Sequence, residues 1–206
     1  MSKPLDSLLK DIRACRVCRD GVETDNQLPH EPRPVFQISS TARICVAGQA
    51  PGTRVHASGI PFTDPSGDRL REWMGVSDEQ FYDAAQVAII PMGFCFPGLD
   101  AKGGDLPPRK ECPKLWRERL FEHLPQIDLM LLIGGYAQSW HMGSARAKTL
   151  TETIRNWDAD TLKTHHPAFI PLPHPSWRNN SWLKKNPWFE ARILPVVKRE
   201  VRARLS

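Results

Sequence analysis

The stretch at residues 44–75, ICVAGQAPGTRVHASGIPFTDPSGDRLREWMG, has the pattern of a strand, a glycine-rich loop and a helix in succession. It opens with an apolar run at residues 44–47 that is typical of a buried β-strand, and it breaks at the glycine- and proline-rich residues 48–52. A helical pattern of apolar residues begins near Ser66. A loop between a strand and a helix is where α/β proteins present backbone N–H groups to ligands. An ordinary strand-to-helix connection would use the same turn residues, so this stretch alone leaves the function open.

Three further apolar runs predict strands, at residues 87–90, 127–133 and 168–172. Helical patterns alternate with these runs, at residues 5–18, 112–120, 136–142 and 186–205. A proline-rich loop at residues 20–40 is expected to join the first helix to the sheet. This alternation is typical of an α/β fold. We therefore expect residues 1–206 to form one domain, with a central, mainly parallel four-stranded sheet and helices on both faces.

The composition is ordinary for a soluble protein, with 40% hydrophobic and 25% charged residues. No apolar run approaches the roughly 20 residues of a membrane-spanning helix, and the first residues lack the apolar segment of a secretory signal. We therefore expect a cytoplasmic monomer with no membrane partner. The net charge of +5, with basic residues concentrated beyond residue 178, permits nucleic-acid binding, although a solvated basic helix would have the same composition.

The five cysteines form two pairs and one isolated position. Cys15 and Cys18 make a C-x-x-C motif, whereas sixteen residues separate Cys95 from Cys112. Four thiolates suit a tetrahedral zinc ion or a four-iron cluster, and the wide second pair fits a cluster more naturally. Unrelated buried or surface thiols would be the alternative. Cys45 lies inside the first predicted strand and is expected to be a core thiol.

Three landmarks, taken in order, resemble the uracil-DNA glycosylase superfamily. The first is the Gly-Gln-Ala-Pro-Gly loop at residues 48–52, followed by Phe62 in a Gly-x-Pro-Phe context. The second is the cysteine set, and the third is the His-Pro-Ser triplet at residues 174–176, after the last predicted strand. The resemblance is closest to the bacterial and archaeal branches that carry an iron–sulfur cluster, and it covers the chain from about Cys15 to Leu205. It implies that Cys15, Cys18, Cys95 and Cys112 hold a structural 4Fe-4S cluster, with zinc as the alternative.

The resemblance also implies a role for each landmark in flipping a base out of DNA and releasing it. His174 would donate a hydrogen bond to the uracil O2 as the glycosidic bond breaks. Ser176, Trp177 and Arg178 would enter the minor-groove side and hold the DNA open. Phe62 would stack on the flipped base. The substrate-binding positions that the resemblance implies are Gly48, Ala50, Pro51, Gly52, Phe62 and Met92.

Two departures from the family pattern bear on the mechanism. The iron–sulfur branches place an acid after the first loop glycine to position the attacking water, and this sequence has Gln49 there. An amide orients a water but takes no proton, so Asp64 and His56 join Gln49 as candidates. The family also reads uracil with an Asn after the second strand, where this chain has Pro-Met-Gly at residues 91–93. Recognition by backbone groups would then leave the preferred base open.

These features predict a monofunctional DNA glycosylase that hydrolyses the N-glycosidic bond of uracil, or of another deaminated base, and leaves an abasic site. A lyase would need an amine nucleophile, and no lysine lies in these motifs. Because Gln49 replaces an acid, the alternative is a non-catalytic or product-trapping protein that binds uracil-containing or abasic DNA. An iron–sulfur electron carrier would explain the cysteines but not the His-Pro-Ser triplet.

Overall fold

A computed structural model describes residues 3–21 and 27–205 of the chain. Within this part, four strands form one sheet in which every neighbouring pair is parallel, in the order β2-β1-β3-β4. The strands are β1 (Ile44–Ala47), β2 (Val87–Ile89), β3 (Leu129–Ile133) and β4 (Ala168–Leu172). The predicted α/β fold with a central four-stranded sheet is confirmed, and the sheet is parallel throughout.

Helices pack around this sheet. The α-helices are α1 (Lys3–Arg13), α2 (Val17–Asp20), α3 (Thr53–Ser58), α4 (Pro65–Met74), α5 (Asp78–Tyr82), α6 (Glu111–Glu122), α7 (Gly134–Met142), α8 (Leu150–Asn156), α9 (Thr161–Thr164), α10 (Asn180–Lys185) and α11 (Leu194–Arg202). Short 3-10 turns lie at Gly143–Ala145 and Trp177–Asn179, and a π-helical turn at Phe189–Ile193 leads into α11. None of the described helices combines the length and apolar character needed to cross a bilayer.

The core explains why these apolar runs form strands. Every residue of the four strands is buried, as expected for a parallel sheet covered on both faces. Helix α1 presents Leu5, Leu8 and Ile12 to this core at helical spacing. The carboxyl ends of the strands are therefore held by a packed frame, and the loops that leave them start from fixed positions.

Two helices differ in their bounds from the sequence expectation, and one further helix was not expected. The first helix ends at Arg13, and a turn that contains Cys15 separates it from α2. The last predicted helix, at residues 186–205, starts after Pro187 with the π-helical turn and continues as α11 to Arg202, whereas α10 is a separate helix before Pro187. Helix α3 lies inside the long loop after β1 and was not expected, because its six residues include only one large apolar side chain, Val55, and so show no apolar period. Residues 22–26 of the predicted loop at 20–40 lie outside the described part.

The strand order reverses at β1, since β2 lies on one side of it and β3 on the other. Strand β1 pairs with β2 from Ile44 opposite Val87, and with β3 from Ile44 opposite Leu129. In open α/β sheets, such a reversal leaves a crevice beyond the carboxyl ends of the strands, where ligands bind.

Candidate active site

A cavity of about 450 Å³ lies at this edge of the sheet, where the loops after β1, β2 and β4 meet. The structure therefore brings together positions that are far apart in the sequence. The predicted site residues that line the cavity are Gly48, Gln49, Ala50, Pro51, Gly52, Phe62, Asp64, His174, Ser176, Trp177 and Arg178.

Met92 is the predicted substrate-binding residue that does not line the cavity. Its side chain is buried in the hydrophobic core, and Pro91 lines the cavity in its place. The Met92 N–H donates to the Gly48 carbonyl at 2.9 Å, and the Gly93 N–H donates to the Gln49 carbonyl at 2.9 Å. The loop after β2 thus braces the loop after β1, and it contributes a proline ring rather than an amide side chain to the cavity.

Phe62 is held in a strained backbone conformation, with φ of +56°. Its carbonyl accepts hydrogen bonds from the Tyr82 hydroxyl at 3.1 Å and from Arg71 Nη1 at 3.4 Å. A Cβ added at Gly67 would lie only 1.8 Å from this carbonyl oxygen, so helix α4 needs glycine there. A Cβ added at Gly48 would lie 3.4 Å from Phe62 Cζ. The ring therefore lies against the glycine loop and forms an aromatic wall of the cavity.

His174 follows β4 and is held in one neutral tautomer. Its Nδ1 accepts a hydrogen bond from the Ser176 N–H at 3.2 Å, so the proton of the neutral ring lies on Nε2. The Asn179 side chain donates to the His174 carbonyl at 2.7 Å and fixes the turn. Burial lowers the pKa of His174, although the carboxylates of Asp64 and Asp105 oppose that shift. The ring thus remains a neutral hydrogen-bond donor on the cavity wall.

Asp64 lines the cavity, but both of its carboxylate oxygens cap helix α4. Oδ1 accepts from the Gly67 N–H at 3.3 Å, and Oδ2 accepts from the Ser66 hydroxyl at 3.1 Å. Pro65, the first residue of the helix, has no N–H to satisfy. This is the arrangement of an N-cap aspartate, so the carboxylate already has a structural task.

Gln49 and His56, the other two candidates for positioning water, also have structural contacts. The Gln49 side chain donates from Nε2 to the Leu106 carbonyl at 3.4 Å, which ties it to the loop that precedes α6. His56 lies on α3 and is not among the residues that line the cavity. Its ring packs against His30, with centroids 4.4 Å apart, and against Phe96. His56 therefore belongs to an aromatic cluster beside the site.

Asp105 lines the cavity and was not singled out from the sequence. A Cβ added at Gly52 would lie 3.3 Å from Asp105 Oδ2, so the carboxylate rests against the glycine loop. Desolvation there raises the pKa of Asp105, and the carboxylate of Asp64 adds to the rise, whereas Arg178 and His174 lower it. Among the described residues, none donates a hydrogen bond to this carboxylate. The sequence pattern did not single it out, because Asp100 lies in the same glycine- and proline-rich loop.

The rim of the cavity carries an exposed aromatic side chain. Trp177 is 71% exposed and lies on the 3-10 turn that follows His174. The Arg178 guanidinium lies 5.8 Å from the centre of its ring. Arg69 donates from Nη1 to the Ser176 carbonyl at 3.1 Å and anchors the turn to α4. The turn therefore presents a flat apolar group and a cation at the mouth of the site.

The four predicted metal ligands, Cys15, Cys18, Cys95 and Cys112, line a second, apolar cavity. The Phe94 N–H donates to Cys112 Sγ at 3.4 Å. Burial raises the pKa of Cys18 to about 11, and those of Cys95 and Cys112 to about 12. Across residues 3–21 and 27–205, however, no group of three or more His, Cys, Asp or Glu side chains is arranged to hold a metal ion. The cluster remains a prediction.

Two of the basic residues near the C-terminus have structural partners. Arg204 pairs with Asp128 and, at 2.9 Å, with Glu200. Arg192 donates to the Ile154 carbonyl at 3.4 Å, at the end of α8. These contacts fasten the C-terminal helical segment to α8 and to the residue that precedes β3.

Comparison with known protein families agrees with this geometry. Residues 35–198 match the family model described as the uracil DNA glycosylase superfamily. The matched region covers more than half of the chain and includes the loop after β1, Phe62, Asp105 and the His-Pro-Ser triplet, but it begins after Cys15 and Cys18. The chain therefore belongs to the uracil DNA glycosylase superfamily, and this membership indicates a DNA glycosylase, a hydrolase of DNA repair.

Proposed function

We propose that the protein is a monofunctional uracil-DNA glycosylase that flips uracil, or another deaminated base, out of DNA and hydrolyses its N-glycosidic bond. The observation that carries this proposal is the neutral Nε2–H of His174 on the wall of a cavity that also contains the Phe62 ring. Together they supply an aromatic face for a base and a donor for the charge that develops on it.

The size and lining of the cavity support a base as the bound group. Its volume of about 450 Å³ falls within the roughly 300–1,000 Å³ that is typical of small-molecule sites. A planar base placed on the Phe62 ring would gain stacking energy. The strained backbone at Phe62 is held by two hydrogen bonds to its carbonyl, so the ring is positioned before any base arrives.

His174 would stabilise the leaving base. When the bond between C1′ and N1 breaks, its electron pair moves onto uracil and builds negative charge at O2. A donor already aimed at that position stabilises the transition state, typically by about 3–4 kcal/mol. Burial keeps His174 neutral near pH 7, so its Nε2–H donates a hydrogen bond without transferring a charge.

A hydrolytic rather than a lyase reaction is supported by the cavity lining. Among the described residues that line it, the basic side chains are Arg54, His174 and Arg178, and there is no lysine. A bifunctional glycosylase would need an amine that attacks the sugar. We therefore propose that water is the nucleophile and that the product is an intact strand with an abasic site.

The rim residues would hold the DNA open. Trp177 is exposed enough to insert beside the flipped nucleotide, and Arg178 would contact phosphate or the minor groove. The lining of the cavity does not specify which base is preferred. Pro91 occupies the position where a side chain that hydrogen-bonds the base edge would be expected. Uracil is the first base to test, and hypoxanthine and xanthine are the next.

We also propose that Cys15, Cys18, Cys95 and Cys112 hold a structural 4Fe-4S cluster, with zinc as the alternative. The four thiols share one apolar cavity, and Phe94 N–H donates to a sulfur as is common around such clusters. When bound, the cluster would tie α1 and α2 to α6, and it would supply no step of the hydrolysis.

A second candidate function is a protein that binds uracil-containing or abasic DNA without turnover. The observation that favours it is Gln49, whose amide takes no proton and is tied to Leu106. The two candidates differ in product. Purified protein would be incubated with single- and double-stranded labelled oligonucleotides that each contain one uracil, hypoxanthine or xanthine. We expect strand cleavage only after alkali; a stable gel shift without cleavage on any substrate would instead favour the binding protein.

A further inference from the structure

Hydrolysis needs a group that positions the attacking water, and the three residues suggested by the sequence have other tasks. Asp64 caps a helix through both carboxylate oxygens. Gln49 is tied to the Leu106 carbonyl. His56 packs in an aromatic cluster and does not line the cavity. A different residue of the cavity is therefore needed.

We propose that Asp105 is the catalytic carboxylate that positions and deprotonates the attacking water. This inference rests on the proposed glycosylase function. Asp105 lines the same cavity as His174 and Phe62. Its carboxylate accepts no hydrogen bond from any other described residue, so its lone pairs are available to a water molecule. It also lies against Gly52, where any larger residue would contact it.

The loop around Asp105 is built to hold its position. The Asp100 side chain accepts from the Gly104 N–H at 2.8 Å, and the Asp100 N–H donates to the Gly104 carbonyl at 2.7 Å. On the other side, the Leu106 N–H donates to the Gly98 carbonyl at 2.9 Å. Asp105 is therefore flanked on both sides by hydrogen-bonded residues, and its backbone is fixed before substrate binds.

Gln49 supports this arrangement. Its side-chain amide donates to the carbonyl of Leu106, the residue directly after Asp105. Gln49 thus holds the loop that carries Asp105. The position that is an acid in the iron–sulfur branches has a supporting role here, and the acid itself comes from a different loop. This explains how a chain with an amide at position 49 can retain hydrolytic chemistry.

The charges around Asp105 suit a general base, which accepts a proton from the attacking water. His174 and Arg178 favour its ionised form, whereas Asp64, Asp100 and desolvation disfavour it. The balance raises the pKa of Asp105 above its ordinary value, and a carboxylate with a higher pKa accepts a proton more readily. The role of Asp105 is inferred from its position in the cavity and from the fixed loop, and the raised pKa is consistent with that role.

The bond from C1′ to the base nitrogen breaks, and its electron pair leaves with the base, whose developing charge is stabilised by the hydrogen bond from His174. The oxygen of water forms a bond to C1′, and one water proton passes to the Asp105 carboxylate. Asp105 then releases that proton to the departing base or to solvent. The products are the free base and an abasic sugar.

The test is the single-turnover rate of base release from uracil DNA by wild type, Asp105→Asn and Asp64→Asn. General-base catalysis contributes about 10²–10⁴-fold, so we expect Asp105→Asn to lose that factor while its affinity for uracil DNA and its melting temperature stay unchanged. Asp64→Asn should lower the melting temperature and keep most of the rate. The acid limb of the pH–rate profile should disappear in Asp105→Asn, whereas Gln49→Ala should slow the reaction and keep that limb.

The outcomes separate this inference from the proposed function. A wild type that cleaves uracil DNA, together with an Asp105→Asn variant that is equally fast, would overturn the role of Asp105 and leave the glycosylase intact. A rate loss in Asp64→Asn alone would move the role to Asp64. A wild type that is inactive on every base tested would overturn the proposed function, and the role of Asp105 with it.

Discussion

The backbone N–H of Ser176 donates a hydrogen bond to Nδ1 of His174, at a nitrogen–nitrogen distance of 3.2 Å. This contact decides which ring nitrogen carries the proton of the neutral imidazole, and it assigns that proton to Nε2. The serine of the His-Pro-Ser triplet thus acts through its backbone, whereas its hydroxyl accepts from the Arg178 N–H at 3.2 Å and starts the next turn.

A matched pair of variants at Ser176 separates these two contacts. Ser176 has φ of −69°, which proline also adopts, so Ser176→Pro removes the N–H with little change in φ. We expect base release to slow by about 2–10-fold, the worth of one hydrogen bond of about 0.5–1.5 kcal/mol. Ser176→Ala keeps the N–H and should retain the rate. Equal rates in both variants would show that the tautomer of His174 is set elsewhere.

Gly67 is expected to be intolerant of alanine. Its Cβ would lie 1.8 Å from the Phe62 carbonyl, so the aromatic wall would have to move. We expect Gly67→Ala to lose about 1–3 kcal/mol of stability, as overpacked sites do, and to weaken binding of uracil DNA. The control is Gly135→Ala, whose nearest neighbour would be Arg146 Nη2 at 3.7 Å, an ordinary contact. Urea denaturation measures both, and equal stabilities would contradict the assigned clash.

The sequence was sufficient to predict the sheet and much of the cavity lining. Buried parallel strands are continuous apolar runs, and each run here matches a strand to within two residues at either end. Parallel strands also share one carboxyl edge. The loop at residues 48–52 and the triplet at residues 174–176 therefore had to meet there, although more than 100 residues separate them.

The positions of Asp105 and Met92 relative to the cavity could not be predicted from the sequence pattern. Asp105 lies in a loop without apolar period, and it enters the cavity because side-chain and backbone contacts fold that loop against the one after β1. Met92 and Pro91 are neighbours, and a loop has no fixed alternation of side chains, so the pattern could not say which of them faces the cavity. Both depend on tertiary contacts between loops.

His141 should make stability depend on pH. It is partly buried beside Arg117, which donates from Nε to His141 Nε2 at 2.7 Å, and desolvation together with this cation lowers the pKa of His141 to about 3. Between pH 6.5 and 3 the unfolded chain therefore binds a proton at His141 that the folded chain does not, and stability falls as the pH falls.

The variant His141→Gln keeps an acceptor for Arg117 and removes the titrating group. The stability of wild type relative to this variant should decline by up to about 1.4 kcal/mol for each pH unit below 6.5. Denaturant titrations at pH 7.5, 6.5, 5.5 and 4.5 measure this difference. A constant difference across that range would mean that His141 titrates normally in the folded protein.

The proposed cluster predicts different outcomes for substitutions of Cys95, a proposed ligand, and of Cys45, a core thiol. Cys95→Ala should abolish bound iron and visible absorption and lower the melting temperature, because a ligand is lost. Cys45→Ala, which removes a fully buried thiol from β1, should keep the iron and lose only packing energy. Metal analysis and absorption spectra of the three proteins decide the matter. A colourless wild type with bound zinc would contradict the iron assignment, and a wild type without metal would contradict both.

Stabilisation of the departing base by His174 can be measured in a single assay. Wild type and His174→Ala would each be incubated with a labelled duplex that contains a single uracil, and the products would be separated after alkali. We expect cleavage at the uracil by wild type and a rate lower by about 10²–10³-fold in the variant. His165→Ala, which changes an exposed histidine, is the control and should be unaffected. Equal rates for His174→Ala and wild type would contradict this role of His174.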